Sequence, residues 1–186
     1  MSSEVTKRGE IIRQAYAAFY EQGFQATCVD KLLQKSGISK RTVYKYFRSK
    51  EELIAATVAY YQQVTFNEVI EAISTRAHTP AEKILVIFDL KKEALERGEY
   101  FGCFAINAHL EFENKNTLIE NACGQFFKSL EGFIFELCNE VGCKNPKKTG
   151  EQIMVLLDGA IVYGQTKRDP KPAMLAKEMA KSLLSN

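Results

Sequence analysis

At 186 residues, with 46% hydrophobic and 26% charged side chains, the chain is long enough to bury a core and too apolar for a disordered tail. No apolar run approaches a membrane span, and the polar stretch from Met1 to Glu10 lacks the apolar centre of a secretory leader, so a cytoplasmic protein without membrane contact is expected. The net charge of +2 hides an asymmetry: residues 1–53 hold ten Lys and Arg against six Asp and Glu, whereas residues 54–186 hold fifteen against seventeen. A basic head on a mildly acidic body fits a nucleic-acid-binding segment carried by something else, although chance clustering of solvated charge gives the same pattern.

Helical periodicity dominates and strand signals are nearly absent, so the expected fold is all-α. Ile12, Ala15, Tyr16 and Phe19 line one face of a first helix that ends before Gly23. Thr27 and Asp30 have capping-box spacing and should open a second helix with Val29, Leu32 and Leu33 inward, ended by Gly37. Ser39 caps a very short helix through about Phe47, and Ser49 caps a long one with Glu51 and Glu52 in its first turn. Pro80 opens a helix with Ile84, Leu85, Phe88 and Leu95 on one face, which stops near Gly98. A short apolar segment, Phe101 to Phe112, precedes the clearest stripe: Ile119, Ala122, Cys123, Phe126, Leu130, Phe133, Ile134 and Leu137. Beyond a loop at Gly142, Asn145 and Pro146, the apolar run Ile153 to Leu157 and Ala160 to Tyr163 is too wide for one amphipathic face. Burial against its own copy in a second subunit would explain it, with Leu157 and Ile161 in the dimer interface. Pro172 begins the last helix, with Leu175, Met179 and Leu183 inward.

Two short helices joined by a tight turn at Gly37 make a helix-turn-helix, whose second helix enters the major groove of DNA. That helix crowds Ser39, Lys40, Arg41, Thr42, Tyr44, Lys45 and Tyr46 around one short cylinder, with Val43 and Phe47 spaced to anchor its inner face. Such a surface suits base edges and phosphates. Tyr44 and Tyr46 have a second reading, as packing beside Phe47.

The spacing of Gly23-Phe24, Thr27, Val29, Ser36-Gly37-Ile38-Ser39-Lys40, Thr42-Val43-Tyr44, Tyr46-Phe47 and Ser49-Lys50-Glu51-Glu52-Leu53 resembles the N-terminal signature of the tetracycline-repressor (TetR/AcrR) family. The likeness covers about residues 8–55. It implies a three-helix DNA-binding domain over 1–50 and a ligand-binding and dimerisation domain over 51–186, about nine helices in all. It further implies a homodimer closed by a four-helix bundle, a pseudo-palindromic double-stranded operator and a small-molecule effector. By position, Thr27 and Lys50 would contact phosphates, Tyr44 and Tyr46 phosphate or sugar, and Lys40, Arg41, Thr42 and Lys45 the groove. Cys28 stands where the family commonly has a hydroxyl residue and Arg41 where a small residue is common.

Gly102-Cys103 through Asn107 to Glu111 is similar to a stretch found at the family's short sixth helix. Phe88, Phe101, Phe104, Phe126 and Phe127, with Cys103 and Asn107, are candidates to line an apolar effector pocket, or else plain core. Cys103 has two readings, a thiol sensing oxidants or electrophiles and a small buried residue. Asp158 interrupts the apolar run and needs a partner or water. His78 and His109 are too far apart in sequence to suggest a metal site, and no cofactor motif is present. HExxH, GxGxxG, GxSxG and P-loop patterns are all missing, which argues against an enzyme.

Overall fold

The structure, a computed structural model, describes residues 2–29 and 38–185. The expected helix over Asp30 to Gly37, with the Thr27–Asp30 capping box, lies outside the described residues. Among those described there are eight helices and no strand. They are α1 (Ser2–Gln22), α2 (Lys40–Tyr46), α3 (Lys50–Arg76), α4 (Pro80–Glu96), α5 (Phe104–Phe112), α6 (Thr117–Val141), α7 (Pro146–Lys167) and α8 (Lys171–Leu184). None is long and apolar enough to cross a membrane.

Local chemistry sets most of the boundaries. Gly23, at φ +82°, ends α1 in a left-handed conformation that costs a residue without Cβ little. At α4, Thr79 and Glu82 form the reciprocal pair that satisfies two orphan donors: Thr79 Oγ1 accepts from Glu82 N at 3.2 Å, and Glu82 Oε2 accepts from Thr79 N at 2.9 Å. The backbone N–H groups of His78 and then Thr79 hold the Glu82 carboxyl below its ordinary value. Asn116 caps α6 by accepting from Leu118 N and Ile119 N, and Asn145 caps α7 by accepting from Lys148 N at 3.1 Å.

Two compact units result. The first comprises Met1–Val64 and Cys103–Phe126, the second Thr65–Gly102 and Phe127–Asn186. The first unit is filled by Ile11, Ala15 and Phe19 of α1, Val43 of α2, Leu53, Ile54 and Val58 of α3, and the aromatic residues described below. In the second, α4, α7 and α8 pack together with parts of α3 and α6 around Ile84, Phe88, Ile134, Ile153 and Leu157. Alanines 173, 176 and 180 bring α8 close, and Lys177 clamps it to α4 by donating to both Asp89 oxygens at 2.6 Å. At Gly164 a Cβ would sit 2.6 Å from Leu95 Cδ1 and 3.3 Å from the Asp169 carbonyl oxygen, so only glycine lets α7 finish here without displacing its neighbours.

The broad apolar run on α7 divides into two faces. Ile153, Leu157 and Ala160 turn inward, while Val155, Val162 and Tyr163 are exposed, Val155 by 72%. This corrects one expectation: Leu157 is 2% exposed inside its own subunit's core, so its side chain is not available to a second subunit. Ile161 is half-buried at the edge of the same core.

Burial, and then the neighbouring charge of Glu131, raises the Asp158 carboxyl above its ordinary value. The native protein therefore retains a proton here at pH values where the unfolded chain has released it. Stability from this site is fully present below the ordinary carboxylate value and is lost as pH rises through the folded one. Asp158→Asn should stabilise the protein near neutral pH, with the gain shrinking as the medium is acidified. Urea midpoints of both proteins at about pH 7 and about pH 4 check this.

Candidate nucleic-acid interface

α2 has only seven residues, too few to hold itself together in water. It is held at both ends and underneath. Ser39, in an extended conformation, accepts from Thr42 N at 3.1 Å, and the two hydroxyls lie 2.8 Å apart. At the far end the Phe47 N–H donates to the Val43 carbonyl at 3.0 Å, with both side chains fully buried. What these anchors leave outside is the predicted set. Ser39, Lys40, Arg41 and Lys45 are exposed, Tyr44 is 44% exposed, and Thr42, Tyr46 and Lys50 are half-buried. The Lys45 ammonium lies 5.4 Å from the centre of the Tyr46 ring.

Two groups depart from expectation. Thr27 is completely buried, and its hydroxyl donates to the Gly23 carbonyl at 2.7 Å. Its side chain therefore fastens the turn after α1 and is not a surface group able to reach a phosphate. Lys50 opens α3, and its ammonium donates to the Phe24 carbonyl at 2.6 Å. One proton of that ammonium is thus turned inward. One cation was missed by the sequence reading: the exposed Arg8 guanidinium sits 4.9 Å from the centre of the Phe47 ring, beside the end of α2. The thirty-eight residues between the two carry no periodic signal that links them.

Behind this surface lies a cluster of rings. Phe104, the first residue of α5, has ring centroids 5.1 Å from Tyr16, 5.5 Å from Tyr20, 4.9 Å from Phe24 and 5.6 Å from Tyr61. Phe126 joins at 5.3 Å from Tyr61, whose hydroxyl donates to Cys103 Sγ at 3.5 Å. Of the expected pocket residues, Cys103, Phe104 and Phe126 therefore meet around Tyr61. Asn107, one turn into α5, is half-buried, its N–H donating to the Cys103 carbonyl. Phe88 and Phe127 belong to the second unit, where Phe88 is core. The tyrosines of α1 and α3 that complete the cluster were not picked out from sequence for this role. The thiol of Cys123 is pushed up to about 12, first by burial and then by Cys103 nearby.

A model of the N-terminal domain of bacterial regulatory proteins of the tetR family matches residues 11–57, from within α1 through α2 into α3. Over residues 11–57 the chain carries the N-terminal domain of the TetR family. The whole chain is 27% identical over 188 residues to the HTH-type transcriptional regulator YxaF of Bacillus subtilis, covering 96% of this chain and 95% of the other. It is 27% identical over 95 residues to the HTH-type transcriptional repressor KstR2 of Mycolicibacterium smegmatis, spanning 46% of that protein. A TetR-family transcriptional regulator from Streptomyces coelicolor shares the fold with a TM-score of 0.86 at 18% identity, over 96% of this chain and 94% of that one. The all-helical expectation holds, and the protein is a DNA-binding transcriptional regulator, not an enzyme.

Because Phe104 contacts four rings, Phe104→Ala should cost about 3–5 kcal/mol. Ser39→Ala should cost only about 1 kcal/mol through the lost cap. Chemical denaturation of the two variants beside the parent measures the contrast.

Proposed function

We propose that this regulator is a homodimeric repressor that reads a pseudo-palindromic operator through α2 and is released by a small apolar effector. Residues 1–50 act as the reading head and residues 51–186 carry effector binding and dimerisation. The observation that carries the reading is the seven-residue α2, capped by Ser39 and pinned by Val43 and Phe47, whose outward side chains are almost all polar, basic or phenolic. Lys40, Arg41, Thr42 and Lys45 face the groove, Tyr44 and Tyr46 reach sugar and phosphate, and Lys50 touches phosphate with the protons that Phe24 leaves free. Repression follows the similarity to a protein described as a transcriptional repressor. A bacterial regulator of this kind works in the cytoplasm, where the chromosome is.

Dimerisation is assigned to the outer faces of α7 and α8, which pack on each other. Val155, Val162 and Tyr163 on α7 and Met174, Leu175 and Met179 on α8 are exposed apolar side chains. A second copy of the same pair would cover them in a four-helix arrangement. Two heads then dock on half-sites about 34–36 Å apart or a multiple of that spacing. An effector that moves α5 acts on the head through Phe104, because that ring lies against Tyr16 and Tyr20 of α1. A small splay of paired heads is enough to prevent both from docking at once. A second reading makes Cys103 a thiol switch. It rests on the hydrogen bond from the Tyr61 hydroxyl to its sulfur at the start of α5. Release by an electrophile that persists in Cys103→Ser eliminates it.

A gel-shift titration on DNA upstream of the protein's own gene should show salt-dependent binding. Arg41→Ala should cost about 1–3 kcal/mol and relax sequence preference, whereas Lys50→Ala should weaken all sequences alike and lower the salt slope by about one. Failure of the parent protein to bind any such DNA would sink the proposal. In sedimentation, Val162→Glu should yield folded monomers. Leu157→Glu should instead lose the fold, because its charge would enter the subunit's own core.

A further inference from the structure

The carboxyl end of α6 places two thiols together. Gly142 adopts φ +81°, its N–H donates to the Asn139 carbonyl at 3.0 Å, and the Cys143 N–H donates to the Cys138 carbonyl at 3.2 Å. This pair of bonds is the Schellman ending of a helix, in which the residue after the left-handed glycine folds back over the residue five positions earlier. That contact is ordinarily between two apolar side chains; here both positions are cysteine. The two thiols are near enough for Cys143 to disfavour the charged form of Cys138, and both side chains belong to one packed cluster of the second unit. They differ in access: Cys138 is fully buried, whereas Cys143 is half-buried at the rim.

We propose that Cys138 and Cys143 form a dithiol modification site, which a hydroperoxide converts into a reversible intrachain disulfide. The backbone geometry supplies the main requirement, because a disulfide needs α-carbons only about 4.4–6.8 Å apart, and the bond from Cys143 N to Cys138 O holds the two residues at such range. Burial, and then the charge and hydrogen bond of Cys143, pushes the Cys138 thiol up to about 11. Cys143 at the rim is therefore the attacking group. Its thiolate attacks the terminal oxygen of the hydroperoxide, the O–O bond breaks, and the departing alkoxide takes a proton to leave as alcohol, or as water from hydrogen peroxide. Cys143 is then a sulfenic acid. The Cys138 sulfur attacks the Cys143 sulfur, the S–O bond breaks, and hydroxide leaves as water with the Cys138 proton. Two thiols have lost two electrons to one peroxide. The remaining described cysteines lack this arrangement. Cys103 and Cys123 are buried, and Cys28 is exposed on the surface.

This site is independent of the operator reading above and of the Cys103 switch, and its test does not involve DNA. Trypsin releases Ser129 to Lys144 as one peptide holding both thiols, while Cys28, Cys103 and Cys123 fall in three others. The intact protein is treated with dilute hydrogen peroxide, alkylated, digested and weighed. The expected peptide is lighter by two hydrogen atoms, takes up no alkylating reagent, and returns to the doubly alkylated form after dithiothreitol. In the oxidised protein, exchange of the Gly142 and Cys143 amides should slow at least several-fold, because the final turn can no longer fray. Cys138→Ala should leave Cys143 trapped as a sulfenic acid that a 1,3-dione labels, and Cys143→Ser should leave Cys138 reduced. Cys143 lies at the rim, so the Cys143→Ser variant and the wild-type peptide map decide the matter even if Cys138→Ala fails to fold. Full alkylation of both cysteines after peroxide, oxidation of Cys138 in Cys143→Ser, or a Cys143 bond to another chain as the main product would overturn the proposal.

Discussion

The reading head is built around one aromatic residue that is distant from it in sequence. Phe104 starts α5, yet its ring fills the space between Tyr16 and Tyr20 of α1, Phe24 in the turn that follows, and Tyr61 of α3. The turn itself depends on the same packing. The Phe24 ring packs tilted against Phe19 and edge-on against Phe104, and its carbonyl receives the Lys50 ammonium that begins α3. The first unit thus includes a segment that follows the head by half a chain length. Removing that segment would expose the apolar side of α1, so a truncated head is a different physical object from the head in the intact protein.

Much of this was legible in the amino-acid sequence, and the reason differs by element. Caps are short-range chemistry: Ser39 and Ser49 could be placed because a hydroxyl before a helix has orphan N–H groups to satisfy, and each accepts one from the first turn. The stripe on α6 was legible because its spacing matches the helical repeat, and Ile119, Cys123, Phe126, Ile134 and Leu137 are indeed buried. The outward character of Arg41, Tyr44 and Lys45 followed from the inward pair Val43 and Phe47. What periodicity does not contain is the partner of a buried face. Leu157 therefore read as one more member of a dimer surface, although its own subunit already covers it. Thr27 read as a surface hydroxyl by likeness of position, while the carbonyl that occupies it, on Gly23, became evident only once the turn was built.

The same limit applies to the rings proposed to line an effector pocket. Phe88 and Phe104 are both aromatic, buried and on helices that follow a loop, and nothing local separates them. They belong to different compact units. Aromatic content in a sequence identifies rings that will be buried, not rings that will meet. Asp158 is the opposite case. A carboxylate inside an apolar helix is conspicuous in sequence because its desolvation is expensive wherever the helix packs.

The alanine face of α8 has a consequence for how such proteins diversify. Ala173, Ala176 and Ala180 carry the packing of this helix against its own subunit, helped by the Lys177–Asp89 clamp, whereas Met174, Leu175 and Met179 project away from it. Attachment and outward surface are thus written on separate residues of one helix. In the proposed dimer, the outward set can be rewritten after gene duplication without disturbing the core, so two sister proteins in one cell would lose their attraction for each other while each keeps its fold. Mixed pairs, which would join two unlike reading heads, are then avoided by side chains that fold nothing.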